Sequence, residues 1–283
     1  MGVFVFTADQ VRGGHGVAAQ PYAPTGVFSQ ALLGGGANDH GRILRPATLA
    51  SMFEPHYRPH PQIPGIGLAF DRYVVGGHRV VGHEGVLPGF NSQILAAPDD
   101  GAGVMMFTNG ARNAMLWVPF ECGRLLGRLL DAPDDGIRTD VPQHPETWAD
   151  LCGWYKPSAR LFDTRLRAFL GLGVEVFVRG ERLILRGLNP LPALYRGFVL
   201  YPDDHGDPYV FRVDASGFGM GSARIVFGRD PDGTMTVQPD VMPLSLRKQP
   251  DVTNPRRWAM AALTAAAAGV AMSGIAAWAR RAS

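Results

Sequence analysis

Cysteine is scarce in this chain: only Cys122 and Cys152 occur among 283 residues, thirty positions apart. Zinc sites need clustered Cys and His ligands, and no such spacing is present. Two cysteines permit one disulfide or two free thiols, and buried free thiols are the plainer reading. Charge of one sign is also lacking, since 27 basic residues stand against 25 acidic ones, a net of +2. That balance excludes the broad basic footprint of a nucleic-acid binder and gives no reason to expect a strongly acidic partner. The start of the chain lacks a secretory signal, because the short apolar run Met1 to Phe6 has no basic lead and meets Asp9 almost at once. A G-x-S-x-G nucleophile elbow is missing as well. Gly217-Phe218-Gly219-Met220-Gly221 leads into a strand pattern and not a helix, so no dinucleotide cofactor is expected there, and no other cofactor pattern occurs.

What the chain has in quantity is turn formers, with 36 Gly and 23 Pro. These favour short strands and many turns over long helices. Residues 1–40 read as loop. Pro46 to Phe53 reads as a short helix, with proline in its first turn and Leu49, Met52 and Phe53 on one face. Ile66 to Phe70 and Arg79 to Val81 read as strands around a Gly76-Gly77 turn. Asn91 to Ala97 and Gly103 to Thr108 pair around Pro98-Asp99-Asp100-Gly101. Unbroken apolar runs such as Val104-Met105-Met106-Phe107 imply strands covered on both faces. Asn113 to Leu130 carries a helical stripe interrupted by Pro119.

Beyond a polar linker over 131–146, further short strands are spaced as in a small antiparallel sheet or barrel. These are 174–178 and 182–186 about Arg179-Gly180-Glu181, then 197–201, 209–213, 223–228 and 234–237. Asp230-Pro231-Asp232-Gly233 separates the last two. Trp258 to Trp278 holds no charged residue and is bracketed by Arg256-Arg257 and Arg280-Arg281. As a helix it would reach about 31 Å, near the thickness of a bilayer core, with tryptophan and arginine at its ends. A single membrane span is therefore expected there. The four basic residues ahead of it (Arg247, Lys248, Arg256, Arg257) would by themselves place the body in the cytoplasm.

One stretch carries a chemical pattern: Gly82-His83-Glu84-Gly85-Val86-Leu87-Pro88-Gly89-Phe90-Asn91-Ser92, read as a glycine-rich turn between two apolar segments. With the run to Thr108-Asn109, it resembles the H-x-G motif of the serine β-lactamase-related hydrolases, the family of class C β-lactamases, D-alanyl carboxypeptidases and allied esterases. Thr25-Gly26-Val27-Phe28-Ser29 is similar to the stretch that precedes a helix in that family, a helix expected to be shortened or deleted here because Gly34-Gly35-Gly36 follows almost at once. Leu151-Cys152-Gly153-Trp154-Tyr155 resembles the opening of the β-rich accessory domains attached behind such enzymes. The resemblance implies that His83 faces substrate, that Gly85 lets the strand edge approach, and that the backbone N–H of Val86 is an oxyanion donor. It implies a small peptide, β-lactam or ester ligand and a body on the extracytoplasmic side of the membrane.

The rest of that machinery is missing from the sequence. Ser245-Leu246-Arg247-Lys248 satisfies S-x-x-K only formally, on the wrong side of the H-x-G motif, and reads as a solvated basic stretch. Tyr22-Ala23-Pro24 has proline where a Y-x-N motif needs an amide. His56 and His60 have helical spacing, but Pro55, Pro59 and Pro61 forbid the helix. Asp203-Asp204-His205-Gly206-Asp207 reads as an exposed turn.

The sequence is thus expected to fold as an α+β protein. A partial β-lactamase/penicillin-binding-protein-like sheet with a terminal helix would occupy 1–130, the linker 131–146, and a small antiparallel β domain 147–250. One C-terminal transmembrane helix and a short tail would fill 255–283. The implied function is that of a C-terminal portion of a serine hydrolase, acting on amides or esters through an acyl-serine but inert here for want of the nucleophile. The alternative is a non-catalytic, membrane-anchored binding or scaffolding protein of the cell envelope. Missing covering helices would leave the 66–109 sheet with exposed apolar faces.

Overall fold

A computed structural model describes residues 2–7, 23–87, 89–109, 114–133, 136–158, 170–189, 192–216, 221–241 and 244–266. In chain order the strands are β1 (Gly2–Thr7), β2 (Ala37–Asn38), β3 (Gly41–Arg42), β4 (Asp71–Val75), β5 (His78–Leu87), β6 (Phe90–Ala97), β7 (Ala102–Thr108) and β8 (Gly153–Pro157). They continue as β9 (Val174–Val178), β10 (Leu183–Gly187), β11 (Phe198–Val199), β12 (Tyr201–Pro202), β13 (Val210–Asp214), β14 (Ser222–Arg229), β15 (Met235–Pro239) and β16 (Leu246–Gln249). Helices are α1 (Ala23–Leu33), α2 (Pro46–Phe53), α3 (Ala114–Leu129), α4 (Trp148–Leu151) and α5 (Pro192–Arg196), and residues 255–266 are also helical. The protein is mostly β with few helices. This corrects the expected class of a partial β-lactamase-like sheet followed by a β domain and a membrane helix. The chain divides into two compact units: residues 1–144, 200–228 and 238–245, and residues 145–199, 229–237 and 246–283.

In the first unit a five-stranded antiparallel sheet runs β1-β7-β6-β5-β4. Strand periodicity sends neighbouring side chains to opposite faces, and both faces are used. Val80, Leu95, Val104 and Met106 pack under Val118, Cys122 and Leu126 of α3. Val81 and Ala96 face the other way, against Leu32 of α1, Leu49 and Phe53 of α2, and Phe70. Phe53 and Phe70 meet edge to face at 5.1 Å, a geometry that aromatic quadrupoles favour. The expected bare apolar faces are therefore corrected: helices cover this sheet on both sides.

Other local readings divide along physical lines. The helix Pro46–Phe53 forms as its proline and apolar spacing require. A helix also forms at Ala23–Leu33, where a loop was expected, because its apolar face has the sheet to pack on. Ile66 makes only isolated bridges, to Tyr57 and Asp71, and the strand begins at Asp71. The H-x-G residues lie inside the ten-residue strand β5, and the turn falls later, at Gly89. The same unit holds an antiparallel ladder β12-β13-β14, with Val210 opposite Val226 and both packed on Ile63.

In the second unit the ladder order is β11-β10-β9-β8-β16-β15, all antiparallel. Tyr155 is its anchor: the side chain is fully buried and its hydroxyl donates to the Leu151 carbonyl at 2.7 Å. Pairing the hydroxyl lets a large ring be buried without the cost of a stranded polar atom. Both cysteines are free, Cys122 buried and Cys152 partly so. Burial pushes the Cys122 thiol up to about 12.

Asn254 caps the helix that begins at Pro255, its side-chain oxygen accepting from the Arg256 N–H at 3.0 Å. The expected membrane anchor at Trp258–Trp278 is corrected: among the described residues no helix is long and apolar enough to cross a membrane. The helix is described as far as residue 266, and 267–278 lie outside the described residues. The single-pass localisation drawn from that span falls with it.

Candidate functional site

His83, Gly85 and Val86 sit in register with Ile94, Ser92 and Asn91 on β6. The His83 side chain is exposed. A Cβ on Gly85 would stand 2.4 Å from the Ser92 hydroxyl oxygen, so that hydroxyl lies directly over the glycine. On the opposite face Gly82 leaves a slot of the same kind. A Cβ there would come within 2.3 Å of the Ile94 carbonyl oxygen and 3.3 Å of the Gln93 amide nitrogen. Above this slot the Tyr73 hydroxyl bonds with Gln93 and Asp71. Burial first, then the Asp71 and Glu84 carboxylates, pushes the Tyr73 hydroxyl far up, so it stays protonated and can donate to Asp71. Burial also raises the Asp71 carboxyl, against the opposing pulls of His83 and Tyr73. The arrangement braces the sheet beneath α3.

The S-x-x-K residues take a different form. Leu246–Gln249 is strand, where the sequence reading had a solvated basic stretch, and Leu246 is buried. One helical turn would bring a lysine amine beside a serine hydroxyl; an extended strand does not. Ser245 instead accepts from Gln238 at 3.3 Å. Tyr22 lies outside the described residues. His56 bonds to the Ser51 carbonyl at 2.8 Å, and His60 accepts from the Gln62 N–H at 3.2 Å, so the two serve separate turns. Burial lowers the His60 ring, favouring its neutral form.

The Asp203–Asp207 stretch is only partly the exposed turn expected. Asp204 and Asp207 accept from Gln62 at 3.3 Å each and close the turn with backbone N–H groups. Asp203 is buried, with 2 % of its side chain exposed, and receives the Arg212 guanidinium through two 3.0 Å bonds and Arg224 through one of 2.9 Å. Periodicity gave no signal for that cluster, whose members come from three stretches of chain. Among the described residues no group of His, Cys, Asp and Glu is placed to hold a metal.

The second unit contains a cleft of about 620 Å³ that sequence reading missed. Arg229 ends β14, the Asp230–Gly233 turn follows, and Thr234 leads into β15; Arg247, Lys248 and Gln249 come from β16, and Asp150 from α4. The Gly233 N–H donates to the Asp230 carbonyl at 2.8 Å, which closes the turn. Arg229 donates to the Asp150 carboxylate at 2.8 Å and to the Gly233 carbonyl at 3.0 Å. Arg247 donates to Asp232 and to the Thr234 hydroxyl, and Asp230 lies 3.7 Å from it. The Thr234 backbone N–H, ahead of the other contacts, holds the Asp232 carboxyl below its usual range. Lys248 donates to the Asp150 main-chain carbonyl at 2.7 Å. The only sequence signal was the basic pair Arg247-Lys248 together with a D-P-D-G turn that strand pairing brings near it.

The fold thus defines a mostly β protein of two units, with a cleft described in the second. No family model matches the chain, and no curated protein matches it. Among solved structures it is similar to SurE, at 17% identity over 80% of this chain and 48% of that one, with a TM-score of 0.46. SurE with D-Leu matches at 18% over 78% and 49%, TM-score 0.45. The octameric penicillin-binding protein homologue from Pyrococcus abyssi matches at 16% over 78% and 45%, TM-score 0.32. The chain spans about half the length of each. Likenesses this distant assign no family. The resemblance to serine β-lactamase-related hydrolases is therefore corrected, and with it the serine-hydrolase description.

Proposed function

We propose that this chain is a non-catalytic binding protein whose β-rich second unit receives a small ligand. The observation that supports this is the cleft bordered by Arg229, Thr234, Lys248 and Gln249. Its volume, about 620 Å³, is within the range of small-molecule sites, and its polar groups converge from separate elements. Strands fix those groups more firmly than loops would, and β16 is held on both sides by β8 and β15.

Amide NMR on the full chain against a panel of acidic, basic and neutral small molecules tests the reading. Saturable shifts confined to the amides of 229–234 and 247–249 are expected from at least one class. A panel that perturbs none of them would overturn it.

A further inference from the structure

We infer that the cleft of the second unit recognises a compact oxyanion, a carboxylate or phosphate group, through Lys248. This rests on the binding reading above and narrows it. Three cations line the cleft, but they are not equivalent. Arg229 is neutralised by the Asp150 carboxylate at 2.8 Å. Arg247 is neutralised by Asp232, with Asp230 at 3.7 Å. Among the described residues Lys248 makes no salt bridge; its ammonium donates to a main-chain carbonyl, which orients it without cancelling its charge. An ammonium has three donors, so two remain for a ligand.

Lys248 is also held in place before any ligand arrives. It stands opposite Tyr155 on β8, and its stem crosses diagonally over Gly153, two residues along. A Cβ on Gly153 would come within 2.6 Å of the Lys248 Cε, so the absence of a side chain there makes the channel in which the stem lies. Lysine normally loses considerable rotamer freedom on binding; a stem already seated and an amine already anchored reduce that loss. Arg229 spends N–H groups on Asp150 and on Gly233, and a guanidinium has five, so it retains donors for a second oxygen of the same anion. A cationic ligand would be repelled by the Lys248 ammonium.

Titrating the full chain with inorganic phosphate and with succinate, each followed by amide NMR, tests this. Saturable shifts at Thr234 and Gln249 are expected, weakening as sodium chloride rises from about 50 to 200 mM. The tighter of the two anions identifies the source of the oxyanion. Lys248→Met should weaken binding at least about tenfold, as should Lys248→Gln, with melting curves of both variants confirming an intact fold. Absence of saturable binding by both anions, or unchanged affinity in both folded variants, would overturn the inference. If neutral or basic compounds shift the cleft amides and neither anion does, the oxyanion class is wrong while the binding reading stands. Silence from every compound removes both.

Discussion

Replacing Asp203 with alanine probes the most enclosed charge cluster of the first unit. Asp203 keeps 2 % of its side chain in contact with solvent and Arg212 7 %, while Arg224 keeps 35 %. The two 3.0 Å bonds from Arg212 form a planar fork, the geometry in which guanidinium and carboxylate interact best. Removing the carboxylate takes the fork partner from a buried guanidinium. Its other contacts include the Ser222 hydroxyl, at 3.2 Å, and the charge of Asp240. Breaking a buried pair from one side costs about 3–5 kcal/mol, because the remaining charge is left desolvated. Arg224 adds little to that figure, since water can solvate what it loses. A loss of that size is a large fraction of the 5–15 kcal/mol typical of a whole domain.

Urea unfolding followed by circular dichroism measures the loss. Asp203→Ala should lower stability by about 3–5 kcal/mol, whereas Asp203→Ala combined with Arg212→Met should recover more than about 1 kcal/mol of it, since the guanidinium that lost its fork partner is then gone. A single-variant loss below about 1 kcal/mol, or a double variant no more stable than the single one, would refute the reasoning.

Three further perturbations follow from the same structure. Glu175 accepts from buried Arg186, which stacks 4.1 Å over the Phe177 ring, and from Asn254 at 3.2 Å. Glu175→Gln should cost about 2–4 kcal/mol and speed amide hydrogen exchange over 254–258; unchanged exchange there would show that the contact does not hold that segment. Gly82→Ala would drive a methyl to 2.3 Å from the Ile94 carbonyl, a backbone atom that cannot step aside, so a loss of about 1–3 kcal/mol by thermal melting is expected. Asp240 is pushed up to about 6, chiefly by burial of its carboxyl, against Arg224 and Arg212. Its folded value then lies above the unfolded one, so the folded state holds the extra proton between about pH 4 and 6 and stability falls as pH rises through that window. The residue as a whole is only partly buried, so the direction and not the size is the prediction. Asp240→Asn should flatten that segment of the pH–stability curve, and an unaltered curve would assign the dependence elsewhere.

Much of the local structure was legible because local chemistry decides it. Proline in the first turn and three apolar residues on one face made the 46–53 helix, and the Gly76-Gly77 and Asp230–Gly233 turns fall where their sequences place them. The H-x-G stretch was misread for a physical reason. Glycine permits a turn without requiring one, and here Gly82 and Gly85 serve close packing inside a strand, against the Ile94 carbonyl and the Ser92 hydroxyl. The stretch therefore packs tightly inside a strand where a turn had been expected.

What the sequence settled by itself was the density of turn formers, the balanced charge and the lack of zinc-type ligand spacing, all of which depend on residue types and short intervals. Only the tertiary structure decided which charges are buried. Asp203 looked like part of a solvated acidic turn until Arg212 and Arg224 closed on it. Lys248 looked like a solvated base until strand pairing laid it over Gly153 and against Asp150. A charge's environment depends on groups far away in sequence, through desolvation and Coulomb interaction, so pairing at long range has to be known before its chemistry can be read.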